Sequence, residues 1–434
     1  MRRVKQGFRS RARFARPALP GLAAAGLVFA ACSPPDAPGT GAILFEGARI
    51  ITGEDSEPIE NGAFLVENGR FTRVGASGEI EAPRGAARVD LTGRTVMPAL
   101  INTHVHLGST REQLVDQLQH YAYYGVGTVQ SLGLDSAAVS FQLREETLPG
   151  AARYLTAGRG ITAPEPGRSE VPHWVTSEDQ ARSAVQSLAV QQVRLVKIWV
   201  DDRNGQYQKL APPLYQAVID EAHRHDMRVA AHIFALEDAK GLLSAGIDAF
   251  AHGVRDMEID DEGLALFRER PDVVLIPNLP DRGVAADLSW LSGTVPAEQL
   301  QELQANATYR PEVQQRFAVQ ARNLARLDQA GVRIAMGTDG SVPWAAHLEM
   351  EDMVAAGMSP GRVLVAATRN SAELLRLPDV GTIAAGSIAD FVVLDANPLD
   401  AITNTRRISA VYFGGVAVDR SAVSARLTAP AGSR

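Results

Sequence analysis

The sequence predicts an α/β fold: a (β/α)8 TIM barrel with a small composite β-sandwich domain formed by both chain ends. Three observations lead there. Between Leu100 and about Gly340, eight apolar β-like runs alternate with amphipathic helical stretches. Short alternating runs broken by Asn-Gly and Gly turns occupy the chain before that region, and β patterning returns after it. At 434 residues and 45% hydrophobic content, the chain has apolar material enough for a core of that size.

The first 16 residues carry Arg2, Arg3, Lys5, Arg9, Arg11, Arg13 and Arg16 and no acid. The apolar run "PALPGLAAAGLVFAAC" follows, shorter than the roughly 20 residues a spanning helix needs. Residues 1–32 therefore read as an export signal. The only cysteine of the chain, Cys32, follows Phe29-Ala30-Ala31, which resembles the lipobox of bacterial lipoproteins, and that resemblance implies lipidation at Cys32. The expected location is the periplasm, with a lipid anchor in the outer membrane favoured by Ser33 after the cysteine. Residues 33–41, "SPPDAPGTG", have a tether's composition.

Cleavage before Cys32 would remove seven basic residues and no acid, leaving 36 basic residues against 50 acidic ones. A net charge near −14 argues against a nucleic-acid partner. A lone, lipidated cysteine excludes an internal disulfide and a thiolate metal site, so any metal must be held by His, Asp, Glu or a modified Lys.

From residue 42 to 97, "AILFEGARII", "GAFLVENGRFTRVG" and "ARVDLTGRTVMP" alternate apolar and polar residues; with residues 379–425 they form the predicted composite β domain. Residues 98–378 form the predicted barrel. Its strand candidates are "LINTHVHL", "VGTVQSLG", "RYLTAG", "RLVKIWV", "MRVAAHIF", "IDAFAHG", "VVLIPNL" and "VRIAMGTDG". Helices such as "PPLYQAVIDEAHRHD", "ALEDAKGLLSAG" and "PEVQQRFAVQARNLARLDQAG" lie between them, and "MSPGRVLVAATRNSAELLRL" reads as a last helical pair.

His104 and His106 share one face of the first barrel strand, which alone says little because alternate strand residues share a face for any purpose. Their company is more telling. Lys197 lies in the fourth strand candidate, His232 in the fifth, His252 in the sixth and Asp339 at the end of the eighth, all near the C-terminal strand ends where barrel chemistry is built. Imidazole and carboxylate donors suit Zn, with Fe, Mn or Co less favoured. Two metals need a bridging anion, and a neutral lysine amine supplies one by reacting with carbon dioxide to give a carbamate. The remaining histidines read differently: His223 and His225 fall late in a helix, where a solvated role is expected, and His120 reads as structural.

The stretches "MPALINTHVHLG", "VKIWV", "AAHIF", "FAHG", "MGTDG", "HLEMEDMVAAGMSPGRVLVAATRNSAELL" and "GTIAAGSIADFVVLDANPL" together resemble the amidohydrolase superfamily, within it the group similar to imidazolonepropionase that contains bacterial Xaa-Pro dipeptidases. The resemblance spans Ala42 to Val418. It implies that His104, His106 and Asp339 bind the more buried of two divalent metals, most simply Zn, that His232 and His252 bind the second, and that Lys197, as N-carboxylysine, bridges them. It further implies a metal-bridging hydroxide as nucleophile, with Asp339 as the catalytic base that passes a proton to the departing amine. Two departures stand out. Many members have a Gly-Gly-His stretch after the third strand, where this chain has "GRGITAPEPGRSE", and Asn102 stands where an acid is usual.

Candidate substrate contacts are Trp199, two residues beyond Lys197, with Tyr124, Arg255 and His347; packing or a surface ion pair is the alternative for each. The expected activity is cleavage of an amide bond in a small substrate such as a dipeptide or N-acyl amino acid, by a chain that could also form a homo-oligomer. A lactonase, carbamate or phosphotriester hydrolase on the same site is the enzymatic alternative. A non-catalytic binding lipoprotein is the alternative of another class.

Overall fold

The computed structural model describes residues 41–429. The signal, the Cys32 lipidation site and all but the last residue of the tether lie outside the described residues, and with them the expectations for anchoring and location.

The chain is a mixed α/β fold. Its eight-stranded sheet joins both ends: Thr95–Pro98 pairs parallel with Ile43–Ile50 and antiparallel with Phe391–Leu394, which continues to Ile408–Phe413 and Val416–Ala417. These strands share one hydrogen-bonded sheet, which branches where Ile43–Ile50 also pairs with Ala87–Asp90. Alternation explains why both faces are buried. Phe45 and Phe64 join Phe71, Phe391 and Tyr412 on one side, while Leu44, Ala63 and Leu65 pack with Ile80 on the other.

The remaining strands form a parallel set of three, Leu100–Val105, Val126–Ser131 and Arg153–Thr156, and a parallel set of seven that includes Leu195–Val200, Arg228–Ile233, Ala249–Ala251, Val274–Ile276 and Arg333–Ile334. Hydrogen bonds link the sets on both flanks. Thr103 N–H donates to the Met336 carbonyl at 2.9 Å and Asp339 N–H to that of His104 at 2.9 Å, while on the other flank Gly160 N–H, just before Ile161–Thr162, donates to the Gly133 carbonyl just past Val126–Ser131. The arrangement is consistent with a (β/α)8 barrel. Only Arg333–Ile334 of the expected eighth strand lies in the regular ladder; Ala335 N–H still reaches Leu275, whereas the Met336 carbonyl and the N–H groups of Thr338 and Asp339 bond to the His104 strand.

Period-two alternation sorts the strand residues into two cores. Ile101, Leu195, Ala230, Ala249, Val274 and Ala335 meet in one apolar cluster, while Val196, Ile198, Val229, Ala231, Phe250 and Leu275 face the helices. Lys197 and His232 each lie two residues beyond a member of the inner cluster, so the same alternation turns them inward one layer above it. The helices between the strands have ordinary start signals, such as Ser177 capping Glu178–Val190 by accepting from Gln180 N–H. The last helical pair is instead one run from Pro360 to Leu374, with a π turn at Ala366–Asn370.

Candidate metal centre

Asp339 occupies the centre of the inward-facing group. Its Oδ1 lies 3.0 Å from His104 Nε2 and 2.9 Å from His106 Nε2, and its Oδ2 lies 3.2 Å from His252 Nε2. The His252 ring stands 4.6 Å from that of His232, centroid to centroid. Both Asp339 and His252 have positive φ, 51° and 139°, backbone values that cost free energy and that cluster at functional sites.

Burial disfavours the charged form of these imidazoles. It pushes His104 down to about 4, with Lys197 adding repulsion, and holds His232 and His252 well below their usual range. Burial alone would raise the Asp339 carboxyl; the His104 imidazole, with the hydrogen-bonding partners around it, overrides that and holds it well below the carboxylate range. Neutral imidazoles therefore surround a carboxylate. His104 Nε2 and His252 Nε2 face it within ion-pair distance yet form no hydrogen bond, which leaves buried lone pairs directed at anionic oxygens. A cation between them would satisfy both the lone pairs and the carboxylate. His104, His106 and Asp339 bring one donor atom each within 4.8 Å of the others, so the donors fit a divalent metal.

Lys197 is fully buried and its Nζ has no hydrogen-bond partner. Burial pushes its pKa down to about 7; Asp339 opposes that shift, and Arg255 and Arg203 reinforce it. Much of the side chain is therefore a neutral amine near neutral pH. Two glycines make room for it: a Cβ on Gly133 would sit 2.8 Å from Lys197 Cγ and 2.6 Å from Trp199 Cη2, and one on Gly160 would strike the Trp199 ring. The glycines of "SLG" and "GRG" are thus the space in which Lys197 and Trp199 lie.

Beside these residues opens a chamber of about 300 Å3 lined by His106, His232 and Asp339, with Leu134, Pro172 and Trp199 as apolar wall and Glu165, Arg168 and Ser169 as polar wall. Arg255 donates to the Ile233 carbonyl at 2.7 Å and lies 3.1 Å from His232 Nε2. The structure thus groups His104, His106, Lys197, His232, His252, Asp339, Trp199 and Arg255.

Two expected substrate contacts need correction. His347 is fully buried; its Nδ1 and Nε2 pair with Thr405 Oγ1 and the Tyr124 carbonyl, both at 3.0 Å. Tyr124 is buried with its hydroxyl on Thr294 Oγ1, among Trp290, Trp344 and His347. Both side chains are packing residues. The helix Ala345–Ala355 turns His347 away from the chamber, although the segment before it follows the eighth strand directly.

The sequence reading missed Asp201, Arg203 and Glu165. Arg203 Nη1 lies 2.7 Å from Asp201 and 2.9 Å from His232 Nε2, while its Nε donates to Glu165 at 3.0 Å. Their one local signal is the run "DDR" just after the Lys197 strand. It also missed Asn278, 2.9 Å from His104 Nδ1, which stands in "IPNLP" with no local mark of function.

Residues 95–418 match the amidohydrolase family. The imidazolonepropionase of Salinispora tropica is 28% identical over 366 residues, covering 77% of this chain and 86% of that one. A protein from Bifidobacterium longum, provisionally designated a prolidase, has a structure 28% identical that covers 90% of this chain and 100% of its own, with a TM-score of 0.71. A Xaa-Pro dipeptidase structure, at 22% identity, shares the fold over 87% of this chain and 99% of its own with a TM-score of 0.69. With three quarters of its length in that match and a His-His-Asp cluster at its centre, the chain belongs to the amidohydrolase family and is a hydrolase acting on carbon–nitrogen bonds.

Proposed function

We propose that this chain cleaves the amide bond of a small substrate, a dipeptide or N-acyl amino acid, in a binuclear metal site at one end of a closed barrel spanning residues 98–378. The β strands of residues 42–97 and 379–425 form the accompanying domain. Two buried imidazole nitrogens, His104 Nε2 and His252 Nε2, that face the Asp339 carboxylate without a hydrogen bond, beside a buried lysine amine with none, are what favour the reading.

His104, His106 and Asp339 would hold the inner metal and His232 and His252 the outer. Lys197 Nζ would attack carbon dioxide, forming an N–C bond and losing a proton, to give the bridging carbamate. Zinc fits imidazole and carboxylate donors best. Bound there, the metals supply water acidification and polarisation of the scissile carbonyl. Asp339 takes the proton of the attacking water and returns it to the leaving nitrogen. Trp199, Leu134 and Pro172 exclude solvent from one side of the chamber. The imidazolonepropionase and prolidase designations of the relatives support a small amide-bearing substrate.

Metal content per chain tests this reading, measured beside Lys197→Ala. About two ions falling to one or none is expected, followed by turnover in a panel of dipeptides and N-acyl amino acids. One ion unaffected by the substitution overturns the bridged site.

A further inference from the structure

His104 can bind a metal through Nε2 only if that nitrogen keeps its lone pair, which requires the ring proton on Nδ1. The Nδ1 atom lies 2.9 Å from Asn278 Oδ1, a carbonyl-type acceptor. Asn278 is buried just past the strand Val274–Ile276 and has φ 44°, in the left-handed region that asparagine tolerates better than most residues.

Two features hold it there. Leu279 N–H donates to both carboxylate oxygens of Glu349 at 3.1 Å each, and Glu349, on the helix Ala345–Ala355, is itself buried. On the other side, a Cβ on Gly337 would come within 2.5 Å of Ile276 Cγ2, 2.8 Å of His104 Cβ and 3.1 Å of Asn278 Nδ2. The glycine lets three segments approach this closely, and the crowding leaves the asparagine little room to turn away. A reversed amide would direct N–H groups at Nδ1 and drive the proton onto Nε2, abolishing the ligand.

We propose that Asn278 is a positioning residue for the inner metal. Its carbonyl accepts the His104 Nδ1 proton and leaves Nε2 free, while Glu349 fixes the backbone that carries it. Neither residue lines the chamber. The inference rests on His104 being a ligand but needs no particular substrate.

Chelator competition for zinc, on the whole chain, tests it in Asn278→Leu and Asn278→Asp, with thermal denaturation of the metal-free forms as control. Asn278→Leu removes the acceptor at similar size and is expected to weaken the tighter ion about 10- to 100-fold. Asn278→Asp keeps an acceptor oxygen and is expected to stay close to wild type. Unchanged affinity in Asn278→Leu overturns the inference, and so does equal loss in both variants, which would assign the effect to shape. Should Asn278→Leu fail to fold, nitrogen-15 spectra of histidine-labelled wild type decide, with His104 assigned from His104→Gln: protonated Nδ1 supports the proposal and protonated Nε2 overturns it. Wild-type chain that binds no zinc overturns the metal reading as well, whereas normal wild-type binding with either contrary variant result overturns this inference alone.

Discussion

His104 and His347 are both buried, and burial depresses both rings, to about 4 and about 3. Their surroundings differ in one respect. Both nitrogens of His347 meet a hydroxyl and a carbonyl, so its valences are closed. His104 Nε2 has no hydrogen bond and faces a carboxylate beside the equally unsatisfied His252. A depressed imidazole therefore does not mark a site; unsatisfied donor atoms converging on one point do.

The comparison breaks most visibly at Asp339. Asp339→Asn keeps the shape and removes the proposed base, so turnover should fall by roughly 10²- to 10⁴-fold while the folded fraction holds, checked by steady-state kinetics on the substrate found in the dipeptide and N-acyl amino acid panel. His347→Phe should leave turnover per folded chain within about twofold. Equal losses in the two variants would mean that the packing residue belongs to the site after all.

Metal is the next lever. An ion that binds only the folded chain stabilises it by about 2.7 kcal/mol at one hundred times its dissociation constant, so zinc should raise the melting temperature of wild type. The same increment should appear in His347→Phe and shrink in His104→Gln. An unchanged increment in His104→Gln would remove His104 from the ligand set.

Closed valences predict a stability effect instead. His347→Phe leaves Thr405 and the Tyr124 carbonyl without their partner, for a loss of roughly 1–3 kcal/mol in denaturant titration. pH gives a second measure. Folded His347 takes its proton only near pH 3, against an ordinary value of 6.5, so acid favours the unfolded chain. The stability it contributes is complete above about pH 6.5 and is lost as pH falls toward 3, by at most about 1.4 kcal/mol per pH unit. The difference between wild type and His347→Phe should shrink and then reverse over that window, because that slope over about three units exceeds the loss at neutral pH; a difference constant with pH would contradict the buried neutral ring.

The same contrast explains what the sequence made legible. Strand alternation and strand ends are local signals, so the convergence of His104, His106, Lys197, His232, His252 and Asp339 on one interior was legible from spacing and resemblance. The interior cluster followed from the same period. Asn278 and Glu349 were not recoverable, since their roles depend on contacts 174 and 70 residues away that leave no periodic trace. Trp199 and Arg255 lie in the inward-facing group because they stand on or beside the strands of Lys197 and His252, while His347 turns away from the chamber with the helix Ala345–Ala355 and Tyr124 caps the helix Arg111–Tyr123 ahead of its strand, directions that proximity to a strand end does not reveal. The eighth strand was legible as an apolar run, but its pairing was not: Met336 and Asp339 bond to the first barrel strand outside the regular ladder.

Tyr124 gives the smallest and most discriminating measurement. Its ring packs among Trp290, Trp344 and His347, its hydroxyl bonds Thr294, and its carbonyl pairs with His347. Tyr124→Phe preserves the ring and the backbone carbonyl and deletes only the hydroxyl. The loss should be about 1 kcal/mol in denaturant titration, arising from Thr294 left unpaired in a buried position. The KM and the turnover number should both stay at wild-type values, because the closed aromatic cluster presents nothing to the chamber. A raised KM at unchanged stability would instead mean that the hydroxyl reaches substrate, and the boundary drawn between the satisfied and unsatisfied halves of this interior would have to move to include it.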